Sequence, residues 1–368
     1  MQTDLTEKVI DQAHNDYPLS VAARQRLKLA RQSENSSGPF GIKYRNWLIC
    51  GLALGLTVLP LLGLPPTNQR LVAQVLIFVT FALSYDLLFG YTGVFSFGHS
   101  LFFGVGAYSA ALFAVNLGWP MWMGVVAGVL ICALLGIITG FVSLRVQGVF
   151  FAMVTLALAT TAYNLSSKLV DLTRGDEGIS LLKAPDAPGG TLVYFLALGL
   201  AVITYFALYR LTNSPLGRVL VSIRENERRT TMIGYNVLLY KIIAITISAV
   251  LAGLAGSVYA FRNDIVNPGV LSSDISLLPL LMVILGGAGT LYGAIIGAVV
   301  IECLNFILSS REFVESVKDW FIIGPIMQHW LLILGLIYVL IVLFLPFGVV
   351  GTWTHYYKGI RRLLPKRT

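Results

Sequence analysis

The sequence predicts an all-α, polytopic integral membrane protein with about ten spanning or partly spanning helices. Three observations carry this. Of the 368 residues, 56% are hydrophobic and only 12% charged, where a soluble domain carries about a quarter charged. Apolar segments of near-membrane length recur along most of the chain, and the mean hydropathy is +0.78. The net charge is +8, yet the basic residues gather at the ends of apolar segments. That is how positive-inside topology looks, and it argues against a nucleic-acid surface.

Residues 1–46 form a polar tail carrying Lys8, Arg24, Arg26, Lys28, Arg31, Lys43 and Arg45. No apolar core follows the first basic residues closely, so no cleavable signal peptide is expected. Leu19 to Arg31 has the pattern of a short basic amphipathic helix on anionic lipid. A solvated tail ending in Ser33-Glu-Asn-Ser-Ser-Gly-Pro39 fits equally well. A membrane body over 47–351 follows, with apolar segments at 47–64, 71–89, 101–117, 119–144, 149–167, 191–209, 242–261, 276–287, 292–308 and 328–348. Most approach the roughly 20 residues that cross the hydrocarbon. The pair 276–287 and 292–308 is short and broken by Gly286-Gly-Ala-Gly289, and such interrupted segments tend to line translocation paths.

Two loops stand apart: 168–190, rich in Gly, Pro and Asp, and 210–241, the most charged part of the chain. A basic tail, 352–368, closes it. Alternating the crossings from a cytoplasmic N-terminus places the first tail, Arg145, loop 210–241 and the last tail inside. Those four regions hold most of the 26 Lys and Arg. One crossing more or fewer would strand a terminal basic cluster outside. Both termini are therefore expected to be cytoplasmic, with 168–190 external.

Little in the chain suggests catalysis. Cys50, Cys132 and Cys303 fall inside apolar runs without C-x-x-C spacing and read as plain buried thiols. His14, His99, His329 and His355 are scattered without metal-ligand spacing, so no metal site is expected. The phosphate-loop pattern G-x-x-x-x-G-K-[ST] is absent, so any ATPase acting with this chain is another polypeptide. Asp86, His99 and Glu302 are the ionisable residues inside apolar segments, and each should face protein or water. Asp86 lies near the inner end of its segment and reads as reaching the interface or a neighbour's hydroxyl more readily than as an ion-coupling group. Glu302 reads as a hydrogen-bonded interface residue, with a proton relay as the lesser alternative. His99 fits a satisfied structural role and a pore-lining role equally.

Two stretches carry the functional expectation. Phe89 to Tyr108 holds Gly90, Gly93, Gly98, Gly104 and Gly106, with Thr92, Ser96 and Ser100 beside His99. Glycine at this density lets backbones approach closely or a helix break beside a cavity. The stretch is expected to wall a pore through Gly90, Gly93, Ser96, Gly98 and His99, with Phe95 and Phe97 beside them. The spacing Gly90-x-x-Gly93 echoes Gly286-x-x-Gly289, and Gly286, Gly287 and Gly289 are expected on the same path. The second stretch is Asn213 to Asn236. Ser214 or Asn213 can cap a helix starting at Pro215. Leu216, Val219, Leu220 and Ile223 recur at helical spacing while Arg218, Arg224, Arg228 and Arg229 face elsewhere. Gly234 marks a stop. This is the pattern of a docking element for a soluble partner, or of a charged loop that only anchors topology.

Gly90 to Tyr108 resembles the signature of the permease subunits of branched-chain amino acid ABC importers, roughly G-Y-x-G-x-x-S-x-G-H-x-x-F-F-G-x-G-A-Y. The resemblance continues in order. Arg145-Val-Gln-Gly-Val-Phe-Phe-Ala-Met-Val-Thr-Leu-Ala157 is similar to the family's R-x-x-G-x-Y-F-A-M-x-T-L-A, with Phe150 in place of Tyr. Leu172-Thr-Arg-Gly-Asp-Glu-Gly-Ile179 is similar to its external loop. Ser214-Pro-Leu-Gly-Arg-Val-Leu, Ile223-Arg-Glu-Asn-Glu and Gly234 match the loop that the family docks onto its ATPase. Lys241, Ala252-Gly-Leu-Ala-Gly256, Leu285 to Gly293 and Pro346-Phe-Gly348 follow in order.

The long N-terminus and the Arg145 and Leu172 motifs resemble the larger of the family's two permease types. The resemblance implies a type II importer-like fold in the bacterial cytoplasmic (inner) membrane. It also implies a second, related permease, two ATPase subunits that bind the ATP and Mg, and an extracytoplasmic solute-binding protein. No cofactor is expected on this chain, which would be a non-catalytic subunit in contact with lipid and not with nucleic acid. Arg218, Ile223, Arg224, Glu225, Glu227, Arg228 and Gly234 would face the ATPase, and Arg174, Asp176 and Glu177 the binding protein. Two departures stand out: Arg229 and Thr230 replace a usual alanine pair, pointing to a dedicated partner, and Arg174 replaces a glycine. The implied activity is alternating-access import of branched-chain or other amino acids, with urea or a short amide as the alternative cargo. An ion-coupled secondary transporter using Asp86, His99 and Glu302, or a membrane scaffold, are the lesser alternatives.

Overall fold

A computed structural model describes residues 65–143, 148–181 and 189–309, together with Val146 and scattered positions within 51–60 and 335–348. The expected tails, the amphipathic pattern at 19–31, Arg145 and most of the segments 47–64 and 328–348 lie outside the described residues.

Eight of the expected apolar segments are helices. Helix α1 (Pro66–Asp86) opens with proline at its first position, where the missing N–H is no loss. It runs into a π-turn over Leu87–Tyr91. Helices α2 (His99–Val115), α3 (Met121–Ser143) and α4 (Val149–Lys168) follow. After a short turn, α5 (Val170–Thr173), come α6 (Gly190–Thr212), α7 (Pro215–Glu225), α8 (Glu227–Met232) and α9 (Val237–Arg262). Helices α10 (Ser273–Gly286) and α11 (Leu291–Ser309) complete the described body.

Six of these helices, counting α1 with its π-turn, are long and apolar enough to cross a membrane, while α2 and α10 are shorter. At 1.5 Å per residue, α10 extends roughly 21 Å, short of a hydrocarbon core of roughly 30 Å. The break expected at Gly286–Gly289 is therefore real, with Gly287 and Gly289 at φ 113° and 80° turning the chain between α10 and α11. The departure from an all-α chain is small: strands β1 (Ile179–Ser180) and β2 (Ile265–Val266) pair antiparallel, Ile179 opposite Val266.

Helix α1 is the axis of the body, its apolar window mostly buried against α6, α9, α10 and α11. Helix α3 lies at the other extreme. Trp122, Leu130, Leu134 and Phe141 are exposed along it, as suits a helix facing lipid. Helices α2, α3 and α9 pack through small residues. A Cβ at Gly256 would lie 1.8 Å from the Phe103 carbonyl oxygen, and one at Gly106 would lie 2.0 Å from that of Gly253. Backbones at such range gain dispersion contacts that larger side chains would forbid, which is how helices associate where lipid removes the hydrophobic drive. Cys132 is buried here, its thiol 3.3 Å from the Phe102 carbonyl.

Candidate functional site

The 213–236 loop folds as two helices set at an angle. Ser214 caps α7, accepting from the Gly217 amide, and Pro215 opens it as expected. The buried side of α7 is Gly217, Val219, Leu220 and Ile223. The expected single helix breaks at Asn226, whose backbone is extended (φ −159°, ψ 101°) and whose side chain caps α8 by accepting from the Arg229 amide at 2.9 Å. Thr230, where small residues were expected, is buried and shares a hydrogen bond of 2.9 Å with Ser222. The two helices are braced on each other there. A salt bridge of 2.7 Å from Lys241 to Glu227 ties α8 to α9.

What the pair presents outward is mixed in character. Arg218, Glu225, Arg228, Arg229, Met232, Ile233 and Gly234 are exposed. Met232 is 85% and Ile233 67% accessible, an unusual exposure for side chains of that size in a segment this charged. Of the other residues expected on the docking side, Ile223 is buried, while Arg224 is exposed and its guanidinium donates to the Gly90 carbonyl.

That contact ends α1. A helix leaves its last carbonyls without intrahelical partners, and here each is taken. Thr92 Oγ1 donates to the Leu87 carbonyl at 3.0 Å, and the Val94 and Gly93 amides donate to those of Leu88 and Phe89. Arg224 takes Gly90. The Arg224 stem lies across Gly93, at φ 75°, where a Cβ would sit 3.1 Å from Arg224 Cγ. Asp86, fully buried, accepts from the Gly289 amide at 2.7 Å, just ahead of α11. A Cβ at Gly90 would collide with both Asp86 and the Gly289 nitrogen. The two glycine pairs that echo each other in sequence thus meet in space.

The chain from Val94 to Gly98 crosses from α1 to α2 in irregular form. Tyr85 donates to the Ser96 carbonyl at 3.0 Å, and Thr155 of α4 accepts from the Phe97 amide at 3.1 Å. A Cβ at Gly98 would lie 2.2 Å from the Thr155 carbonyl oxygen. His99 has no solvent exposure. Its ring stacks on Phe81 and meets Tyr85 and Phe102 edge-on. Its Nε2 is 3.0 Å from Ser84 Oγ, and because that hydroxyl donates to the Phe81 carbonyl at 2.7 Å, the imidazole N–H is the donor. Among the described residues His99 lines no open space, and its Nδ1 has no hydrogen-bond partner. Gly90, Ser96, Gly98, Gly286 and Gly287 are enclosed likewise, whereas Gly93 is exposed and Phe95, Phe97 and Gly289 are partly so.

At the opposite end, Arg174 adopts φ 61° and stands exposed with Asp176 and Glu177. They rim an open depression with Ser167 and Val170. Gly178 and the β1–β2 pair anchor this loop, since a Cβ at Gly178 would meet the Val266 carbonyl at 2.5 Å. Glu302, 3% exposed, accepts from Gln74 at 2.8 Å across α1 and α11, beside a cavity of about 100 Å³ that Asn305 also lines. No cluster of metal-ligating residues occurs among the described residues.

Asp86, expected to reach the interface or a hydroxyl, has a backbone amide as its partner. The available signal was its place four residues before Gly90, on the same helical face. Thr155 and Gln74 carried no signal beyond being polar in apolar segments.

Residues 69–343 match the family described as branched-chain amino acid transport system / permease component. Among curated relatives, the high-affinity branched-chain amino acid transport system permease protein LivM of Salmonella typhimurium is 28% identical, over 75% of this chain and 68% of that protein. Its Escherichia coli counterpart is 27% identical over the same shares. The ribose import permease protein RbsC of Haemophilus influenzae is 27% identical over 54% of this chain and 64% of its own length. No solved structure matches the chain.

Proposed function

The chain belongs to the branched-chain amino acid transport system permease family, and from that premise we propose that it is one permease subunit of an ATP-driven importer of branched-chain amino acids. A second, related permease completes the membrane part. Two ATPases sit on the face of the 213–236 loop, and a solute-binding protein delivers cargo at the opposite face, past Arg174, Asp176 and Glu177. The 213–236 loop is then cytoplasmic, and the protein lies in a bacterial inner membrane with both termini inside.

The observation that carries this is the α7–α8 pair. It projects cations and the apolar Met232 and Ile233 outward, yet its inner side is fastened to α1, α9 and the α10–α11 turn. A surface built that way can receive a soluble protein on one side and move membrane helices on the other. The docking face is Arg218, Glu225, Arg228, Arg229, Met232, Ile233 and Gly234, with Arg224 at its inner edge, Glu227 bracing it and Ile223 behind. We place the translocation path along the accessible side of Gly93, Phe95 and Phe97, with Gly287 and Gly289 at the turn nearby. Gly90, Ser96, Gly98, His99 and Gly286 back that wall. An aromatic wall of this kind tolerates an aliphatic side chain, and ATP-driven displacement of the loop shifts the body between access states.

Gentle extraction of the tagged chain from its host, with mass spectrometry of what accompanies it, tests the assembly. A second permease and a phosphate-loop ATPase are expected. Uptake by the reconstituted complex should then follow leucine, isoleucine or valine. Uptake of urea with none of these would move the cargo to the short-amide alternative. The chain recovered alone, and carrying solute without ATP, would overturn the proposal.

A further inference from the structure

The loop face and the path are separate places, and something must connect them. We infer that Arg224 and Asp86 are a pair of positioning residues that form this connection, Arg224 holding the end of α1 and Asp86 holding the start of α11. The inference rests on the importer reading, and deepens it by naming the link.

Three features support it. First, each charge meets a backbone group of opposite polarity on another element. Arg224 lies at the carbonyl end of α1, and Asp86 takes an amide immediately before α11. Each contact ties one element to another and neither lies within a single helix. Second, the contact is close. Gly90 and Gly289 leave no room for a Cβ between Asp86, Arg224 and the two backbones, so displacement of α7 acts on both helix ends. Third, the end of α1 is a π-turn followed by an irregular crossing, Val94 to Gly98. Single π-turns within helices are frequent at functional sites. Pulling the Gly90 carbonyl acts on that turn directly, and Gly93, Phe95 and Phe97 follow it in the chain.

Arg224 is also the one arginine among Arg218, Arg224, Arg228 and Arg229 with a hydrogen bond into the membrane body among the described residues. All four are exposed, and Arg218, Arg228 and Arg229, without such a bond among the described residues, are suited to contact with a partner. The expected signature of losing Arg224 is therefore uncoupling, not loss of assembly.

The test uses the whole transporter, purified with its co-extracted subunits and placed in liposomes with ATP, reading hydrolysis and leucine uptake on the same preparation. Arg224→Gln should lower uptake per ATP hydrolysed at least about tenfold, the effect of losing one charge-assisted hydrogen bond, while the ATPase subunits still co-purify. Arg224→Lys restores a charge with a single donor and should recover part of that ratio. Asp86→Asn keeps an acceptor for Gly289 and removes only the charge, so a smaller loss, about two- to fivefold, is expected. In the double variant the losses should not add, because both changes break one connection. An unchanged ratio in Arg224→Gln would overturn the inference. So would loss of the ATPase subunits from that variant, which would make Arg224 a docking contact. Independent, additive losses in the double variant would overturn the pairing. Absence of any ATPase from the wild-type preparation would instead overturn the importer proposal.

Discussion

Gly286→Ala is the sharpest test of how α10 and α11 are held. A Cβ built on Gly286 falls 1.8 Å from the Gly293 carbonyl oxygen and 2.3 Å from its carbon, both backbone atoms. Ordinary contact begins near 3.4 Å, so the two helices must separate by well over an ångström. Gly297 makes the reciprocal approach, 1.8 Å from the Met282 carbonyl oxygen, so the separation spreads along the interface. Overpacking of this kind costs about 2–3 kcal/mol, at the upper end because backbone cannot swing aside. At roughly 2 °C per kcal/mol for a chain of this size, the midpoint should fall by roughly 4–6 °C. Thermal unfolding in mild detergent, followed by size-exclusion chromatography, measures it. Gly199→Ala is the control, because no atom lies within 4 Å of a Cβ there. Alanine should be neutral or slightly stabilising at that site, by up to about 1 kcal/mol. Equal midpoints for Gly286→Ala and Gly199→Ala would refute the close approach of the two helices.

Other consequences follow from the same contacts. Asn226→Ala removes the α8 cap and should cost about 1 kcal/mol locally. Hydrogen exchange over 227–232 would quicken roughly fivefold, with the global midpoint unmoved, and unaltered exchange would count against the cap. His99→Ala empties a fully enclosed site between Phe81, Tyr85 and Phe102, and should destabilise by about 3 kcal/mol through cavity formation. Its mark is a lower detergent midpoint with cargo preference unaltered; a changed preference at wild-type stability would restore the pore-lining role. Glu302→Gln retains an acceptor for Gln74, so uptake should stay within about twofold of wild type and remain insensitive to ionophores. Collapse of uptake in that variant together with ionophore sensitivity would favour an ion-coupled carrier.

How far the sequence speaks can be judged residue by residue. Hydropathy located the spans because lipid demands long apolar helices and little else satisfies the backbone. Ser214-Pro215 and Gly286-Gly-Ala-Gly289 were legible because capping and chain reversal have local chemistry. The break at Asn226 was not, since Arg224-Glu-Asn-Glu-Arg-Arg229 contains neither glycine nor proline and continues a helical charge pattern. The 90–106 glycines were visible but ambiguous. A missing side chain does not say whether its space is taken by cargo or by a neighbouring backbone, and at Gly98 and Gly106 it is backbone. Arg224 posed the opposite problem. Its charge suggests solvent, and it is exposed, but only the position of Gly90 across the fold shows where its guanidinium donates. Long-range pairs such as Asp86 with Gly289, or Gln74 with Glu302, leave no mark in a single sequence.

In the proposed importer this chain moves cargo only as part of an ATP-driven assembly. Leucine uptake into liposomes holding the co-purified complex, with ATP inside reach of the ATPases and the binding protein added on the other side, tests that claim most directly. Accumulation that stops when ATP is replaced by a non-hydrolysable analogue is the predicted result. Accumulation that continues without hydrolysis, or that follows an imposed ion gradient instead, would contradict it.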